Sequence, residues 1–534
     1  MTGRRRGLLR AAALAFAILC GLLIAPRPAA ATIAYRVSLD HPGRHRFAVT
    51  IAIPVDGRDV TLAMPAWNAL YRIEDFAYRI RDVTALCRSA DAVPAVVRKL
   101  DKQTWRVSLS APCQPNDRNT FEIHYSIEWD EPGPFNSQLN DHHAFVNLAE
   151  ILMYLPARRA EDTSVEFDDL PGGWRTLAEL AQGSAANSYL APSYDKLVDA
   201  PVEAGKFDEF EFDDDGAHFR VVVDSSNDDW DRRPLETQLR LVTDYELKLM
   251  GGPPFDPPRR EYTFFFHLGP DDDLQGGGME HANSTAIAMR SVDTAIPIAA
   301  HEFFHVWNVK RIRPQSLEPV DYAKEQYTRA LWFAEGVTST YASYTLVRTG
   351  LWAKDQFYAD LASQIGDLQA HPARKWQSAE QSSLDAWFEK YDAYNQPDRS
   401  ISYYNKGQIL GVMLDLAIRD ATDNRKSLDD VMRRMNVEYA QQGKFYDDSA
   451  GIRSAVEEVI GKSFGDFFER YVSGTDEIPY DQFLAIAGLQ LNSDVSRRDK
   501  FAFQVGASYG ITEVDHPTAR QRRILDGILH GATD

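Results

Sequence analysis

His301-Glu302-Phe303-Phe304-His305 decides how this chain is read. Its surroundings keep a helical rhythm of apolar residues from about Asp293 to Ile312, which predicts one helix over that span. Residues four apart share a helix face, so the two imidazoles can address a single metal ion. Imidazole suits zinc, and Glu302 beside it is placed as general base for a water on the metal. Ala299, Ala300, Phe303, Phe304 and Trp307 supply the apolar shell that a dry metal site needs. A second helical run is expected from about Lys324 to Val347, with Tyr327, Leu331, Thr338, Tyr341, Ala342 and Thr345 near helical period and Gly350 as its stop. It carries Glu335 on an otherwise apolar face, and a carboxylate there is costly unless it is paired or bound to a metal. Two histidines and one glutamate leave a fourth position for water, which is the catalytic kind of zinc site. The expected cofactor is one zinc ion per chain, held by His301, His305 and Glu335.

The chain of 534 residues opens with Arg4, Arg5, Arg6 and Arg10, an apolar run from Ala11 to Ile24, and Ala29-Ala30-Ala31. That is the pattern of a secretory signal peptide cleaved after Ala31, and the apolar run is short for a membrane span. Leu19 before Cys20 speaks against a lipoprotein site. Cleavage removes five arginines and no acid, taking the net charge from −20 to −25. So acidic a protein is poorly suited to nucleic acid or to an anionic membrane surface. The expectation is a periplasmic or secreted protein with no stable membrane insertion. Only Cys87 and Cys113 then remain, and in an oxidising compartment they are expected to pair.

Residues 32–205 alternate as strands, for example Phe47 to Val55, Trp105 to Leu109 and Phe121 to Ile127, separated by Asp, Gly and Pro clusters. This predicts a β-sandwich-like N-terminal domain. His142 and His143 are adjacent, would face opposite ways on a strand, and read as structural or surface residues. Residues 206–480 read as a catalytic domain. Its β lobe runs to about 290, with a helix from Pro234 to Met250 and strands at Glu261 to Leu268 and Thr285 to Met289. A helical lobe follows. Gly276-Gly277-Gly278 allow close backbone approach to a substrate strand, which is expected to pair along the edge of Thr285 to Met289. The fold class is thus α+β and multidomain, with a short C-terminal tail.

With these residues in view, the chain resembles the M61 zinc metallopeptidases, the glycyl aminopeptidases of the gluzincin group, which also holds thermolysin and the M1 aminopeptidases. The resemblance rests on His301 through Pro314, on Gly277-Gly278-Met279-Glu280-His281, on Tyr403-Tyr404-Asn405-Lys406-Gly407, and on Met64-Pro65-Ala66-Trp67 with Ile73 to Ala77. It covers about Tyr35 to Leu491. It implies a thermolysin-like catalytic domain, Tyr404 (two residues before Lys406) as oxyanion stabiliser, and Glu280 with Gly277 and Gly278 at the substrate's free ammonium end. It also implies preference for N-terminal Gly or Ala. Asn68-Ala69-Leu70-Tyr71 departs from the family's P-G-x-Y turn. Residues 481–534 are too few for the PDZ domain that members commonly carry, and read as a truncated PDZ-like remnant.

The leading reading is an exported zinc aminopeptidase acting on peptides. A thermolysin-like endopeptidase, in which Glu280 binds no amine, and a non-catalytic peptide-binding protein on the same fold are the alternatives. Oligomeric state is not legible.

Overall fold

Strict alternation makes Arg46–Pro54 and Thr120–Glu128 half-buried strands, with Phe47, Val49, Ile51 and Ile53 turned into one core. The computed structural model describes residues 33–533, except 55–56, 69–70, 89–92, 110–119, 227–229, 256–259, 270–275 and 498–504. The expected signal peptide lies outside the described residues, as does Cys113. No described helix is long and apolar enough to cross a membrane.

The N-terminal region is a ten-stranded sheet with Ile33–Ser38, Arg46–Pro54, Thr120–Glu128 and Ile80–Arg88 near its middle. A four-stranded sheet, in the order Arg175–Ala178, Val202–Gly205, His143–Val146, Gln138–Leu139, shares its core through Val146, Val202 and Ala204. Two sheets around one apolar interior match the expected sandwich-like domain.

A five-stranded sheet follows, in the order Asp208–Asp214, Ala217–Ser225, Glu261–Leu268, Ser284–Met289, Gly277–Glu280. Its three inner strands are parallel and its two edges antiparallel. Glu261–Leu268 is buried along almost its whole length, which explains why apolar side chains dominate it on both faces. The crossover to it is the helix Arg232–Met250, which starts where the Asp231 carboxylate accepts the Arg233 N–H and ends at Gly251, φ 88°. Because Ser284–Met289 lies between two neighbours, it offers a substrate no edge. The free edge belongs to Gly277–Glu280, a correction to the expected pairing.

The helix Val292–Phe304 leaves this sheet and lays Phe303 against Phe219, Tyr262 and Phe264, with ring centroids 5.6, 5.0 and 5.8 Å away. It is shorter than its apolar rhythm predicts. Beyond His305 the chain breaks into turns up to Ile312, although Val306, Trp307, Val309 and Ile312 stay buried. The second helical run also starts late. Lys324 to Ala330 is not helical, and the segment begins with a wide π-turn, Trp332–Val337, continuing as Thr338–Arg348.

The helical lobe is built around the helix Tyr403–Thr422, buried on nearly every face. Residues after 480 are not a separate module. The hairpin Leu489–Arg497 with Val505–Glu513 and the helix Ala519–His530 place Leu489, Ile511, Ile524 and Ile528 in the catalytic core. The Arg348 and Arg419 guanidiniums donate to the Ile528 and Gly527 carbonyls at 2.8 and 3.0 Å.

Candidate active site

His301 stands in the last turn of its helix, and His305 is the first residue past it. Their Nε2 atoms face each other at 2.9 Å. Glu335 Oε2 lies 3.1 Å from His305 Nε2 and 3.7 Å from His301 Nε2. The outer nitrogens are both engaged. His305 Nδ1–H donates to the Asn308 carbonyl at 2.6 Å, and His301 Nδ1–H donates to Ser339 Oγ at 3.3 Å. Ser339 spends its own proton on the Glu335 carbonyl, 3.1 Å away, so its oxygen is free to accept. Both inner nitrogens therefore present lone pairs to one point, with a carboxylate beside them. Two lone pairs so close repel unless a cation sits between them, and fixing the outer N–H is how proteins aim metal-ligating imidazoles. These residues fit a metal ion.

The charges point the same way. Burial pushes the His301 imidazole below its ordinary range. Burial opposes charge on His305 too, but the Glu335 carboxylate overrides it and pulls His305 up to about 10. Against its own burial, Glu335 is held well below the usual carboxylate range by the two imidazoles. The pocket thus prefers positive charge at its centre and a full anion at Glu335.

Glu302 is buried, which drives its carboxyl well above the usual range, and its Oε2 has no hydrogen-bond partner among the described residues. It packs directly on the edge strand, where a Cβ on Gly278 would lie 2.5 Å from Glu302 Cγ. Gly277, with φ at 146°, would place a Cβ 2.9 Å from the Phe135 ring. These two glycines are thus required by Phe135 and Glu302 themselves, rather than by a substrate strand alone.

Glu335 reaches the imidazoles from the π-turn, whose Gly336 lies against Gly407 of the helix Tyr403–Thr422. A Cβ on either glycine would collide with the other's backbone. This close crossing puts the Tyr404 ring 6.2 Å from the His301 ring. Tyr404 is 40% exposed in the cleft, whereas Tyr403 is buried beneath it. Desolvation, then the nearby Glu335 carboxylate, keeps the Tyr404 phenol protonated and so a donor. Glu280 ends the edge strand and lines a cleft of about 490 Å³ together with Glu335, Tyr404, Tyr71 and Phe135.

Tyr71 and Phe135 come from the N-terminal domain; Tyr71 keeps the tyrosine of the family's P-G-x-Y turn, and no pattern in the sequence marks Phe135 as part of this site. Asn308 and Ser339 were also missed. Asn308 lies within the run from His301 to Pro314, and its fully buried amide ties the turn after His305 to the Phe333 carbonyl at 2.9 Å and to Thr338 Oγ1 at 3.0 Å. Elsewhere, His142 is exposed in the bend before the strand, and His143, the strand's first residue, is buried. Cys87 is buried and disulfide-bonded.

The sequence profile described as M61 glycyl aminopeptidase matches residues 294–410, and that of the M61 N-terminal domain matches residues 34–206. No match was found among curated proteins. An aminopeptidase N family protein from Idiomarina loihiensis is similar in structure, with a TM-score of 0.79 and 23% identity over 87% of this chain and 80% of that one. A two-domain M1 zinc metallopeptidase bound to L-tryptophan aligns with a TM-score of 0.50 and 14% identity, over 84% of this chain and 95% of that one. An M1 zinc metallopeptidase from Deinococcus radiodurans gives 0.49 and 14% over the same shares. The first two of these likenesses bear on the fold.

Proposed function

The chain belongs to the M61 family of zinc metallopeptidases, matched over just over half its residues, and hydrolyses peptides; from that premise we propose that it is an exported aminopeptidase. The observation that carries this reading is the convergence of two imidazole lone pairs and the Glu335 carboxylate beside Glu302, whose Oε2 is buried without a partner among the described residues.

In this reading His301, His305 and Glu335 hold one zinc ion. Zinc supplies a Lewis acid and a water of lowered pKa. Glu302, as a carboxylate whose proton affinity burial raises, takes a proton from the attacking water and passes it to the leaving amine. Tyr404 donates a hydrogen bond to the oxygen of the scissile carbonyl as it gains charge. The substrate backbone pairs with the free edge of Gly277–Glu280, and Glu280 receives its terminal ammonium in a charge-assisted contact. Preference for N-terminal Gly or Ala is supported by the family's description and by the small space behind Glu280, about 90 Å³ among Trp67, Tyr71, Met279 and Tyr322. Export rests on the arginine-led apolar N-terminus ending in Ala29-Ala30-Ala31.

Paired substrates test this. The parent should cleave Gly- or Ala-led peptides at least about thirty-fold better than their N-acetylated forms, the lower end for truncating a buried charge pair. Glu280→Ala should lose about the same factor on free peptides, lose little more on acetylated ones, and keep its zinc. Equal cleavage of blocked and unblocked peptides by the parent would establish the endopeptidase alternative instead. No cleavage of either by zinc-loaded protein would leave a peptide-binding protein.

A further inference from the structure

A second group of metal-competent side chains lies apart from the active site and shares no residue with it. His143 begins the strand His143–Val146 of the N-terminal domain, and Glu203 lies on the neighbouring strand Val202–Gly205. Across the domain boundary stand His267, on Glu261–Leu268, and Asp224, its register partner on Ala217–Ser225. Glu203 is fully buried, and the two histidines are nearly so. His143 Nδ1 lies 3.0 Å from Glu203 Oε1 and 3.4 Å from Asp224 Oδ2, and His267 Nε2 lies 2.9 Å from Glu203 Oε2. The ligand atoms of His143, Glu203 and His267 all fall within 4.8 Å of one another, as do those of His301, His305 and Glu335.

We propose that His143, Glu203 and His267 form a second divalent-cation site, suited to zinc, that joins the N-terminal domain to the catalytic sheet. Two imidazoles and a carboxylate are a zinc donor set, and Asp224 stands beside His143 on the cleft side. Ligand atoms about 2.0–2.2 Å from a tetrahedral ion lie about 3.3–3.6 Å apart, so the imidazole nitrogens, 3.0 and 2.9 Å from Glu203, need to draw back by only about 0.3–0.7 Å to admit one.

Two further features separate this cluster from an ordinary buried hydrogen-bond group. His143 Nε2–H donates to Gln138 Oε1 at 3.1 Å, which aims Nδ1 at the cluster as an outer partner aims a metal-bound imidazole. The cluster also opens on a cleft of about 500 Å³ that His143, Asp224 and His267 line, so an ion has a way in.

A dication bound here takes the place of any proton shared within the cluster, and that proton leaves to solvent.

The test is metal content of the full mature chain after zinc loading and exhaustive dialysis. We expect two equivalents in the parent, one in His143→Ala/His267→Ala, and one in His301→Ala/His305→Ala. The last variant leaves this cluster intact, so it decides the matter even if changes at the domain boundary unfold the protein. It should also melt at a higher temperature with zinc than without. One equivalent in the parent and none in His301→Ala/His305→Ala would overturn the proposal and leave a hydrogen-bonded clamp. One equivalent that survives loss of His301 and His305 but not of His143 and His267 would uphold it and refute the catalytic ligand set instead.

Discussion

Glu302 is buried, its carboxyl is pushed well above the usual range, and its Oε2 lacks a partner among the described residues. Glu246 shares these properties, and what sets Glu302 apart is its place beside His301 and His305. A buried polar atom without a partner costs about 1–3 kcal/mol, and at this place, beside His301 and His305, a water or substrate group would satisfy it. Glu302→Gln keeps the shape and cannot take a proton. It is expected to retain metal while turnover falls by about 10²–10⁴-fold. Metal analysis beside initial rates checks this, and a near-parent rate would remove Glu302 from the proton path. This residue, both histidines and Glu335 could be singled out in the sequence because each stands against an apolar background at helical spacing. Asn308 and Ser339 could not, because their work is to bond main-chain and imidazole groups that meet only after folding.

At the scale of elements, the site depends on two helical segments touching at glycines. The π-turn Trp332–Val337 and the helix Tyr403–Thr422 meet where Gly336 faces Gly407, and no side chain fits between them. Gly407→Ala must push the segments apart. The expected cost is about 1–3 kcal/mol in stability. Activity should fall further than Tyr404→Phe alone lowers it, because Glu335 moves as well. Denaturant melts and rates on both variants test this, and parent-like stability in Gly407→Ala would disprove the tight crossing. Element boundaries were the least legible part of the sequence. The rhythm of Val306, Trp307, Val309 and Ile312 predicts that the helix continues past His305, and those residues are indeed buried. Burial is all that periodicity reports, however. The backbone turns away because the Asn308 carbonyl is needed by His305 and its amide by the Phe333 carbonyl.

For the whole molecule, the active-site cleft exists only between domains. Tyr71 and Phe135 form its N-terminal wall, and Trp67 Nε1–H reaches across to the Asp321 carbonyl at 2.7 Å. Asp199 ties the junction to the metal-site loop. It accepts from Lys310 Nζ at 2.7 Å and from the Ala282 N–H at 3.0 Å, and, despite burial, Lys310 holds its carboxyl well below the usual range. A depressed folded-state pKa contributes stability above the unfolded value of about 3.9, and that contribution drains away as pH falls toward the folded value. Asp199→Asn should therefore cost about 1–3 kcal/mol near neutrality and flatten the loss of stability below about pH 4, as read from melts across pH. An unchanged acid limb would show that Asp199 is not the group responsible. Sheets, helices and their order were legible because each follows from local pattern. The junction was not, because residues more than a hundred positions apart build it, and neither was the seating of the tail on the helical lobe. The central claim is that His301, His305 and Glu335 hold the catalytic metal, and anomalous diffraction at the zinc edge from crystals of zinc-loaded protein tests it most directly. The account predicts a peak about 2.0–2.2 Å from His301 Nε2, His305 Nε2 and a Glu335 oxygen. An ordered site with those three side chains in place and no peak among them would contradict it.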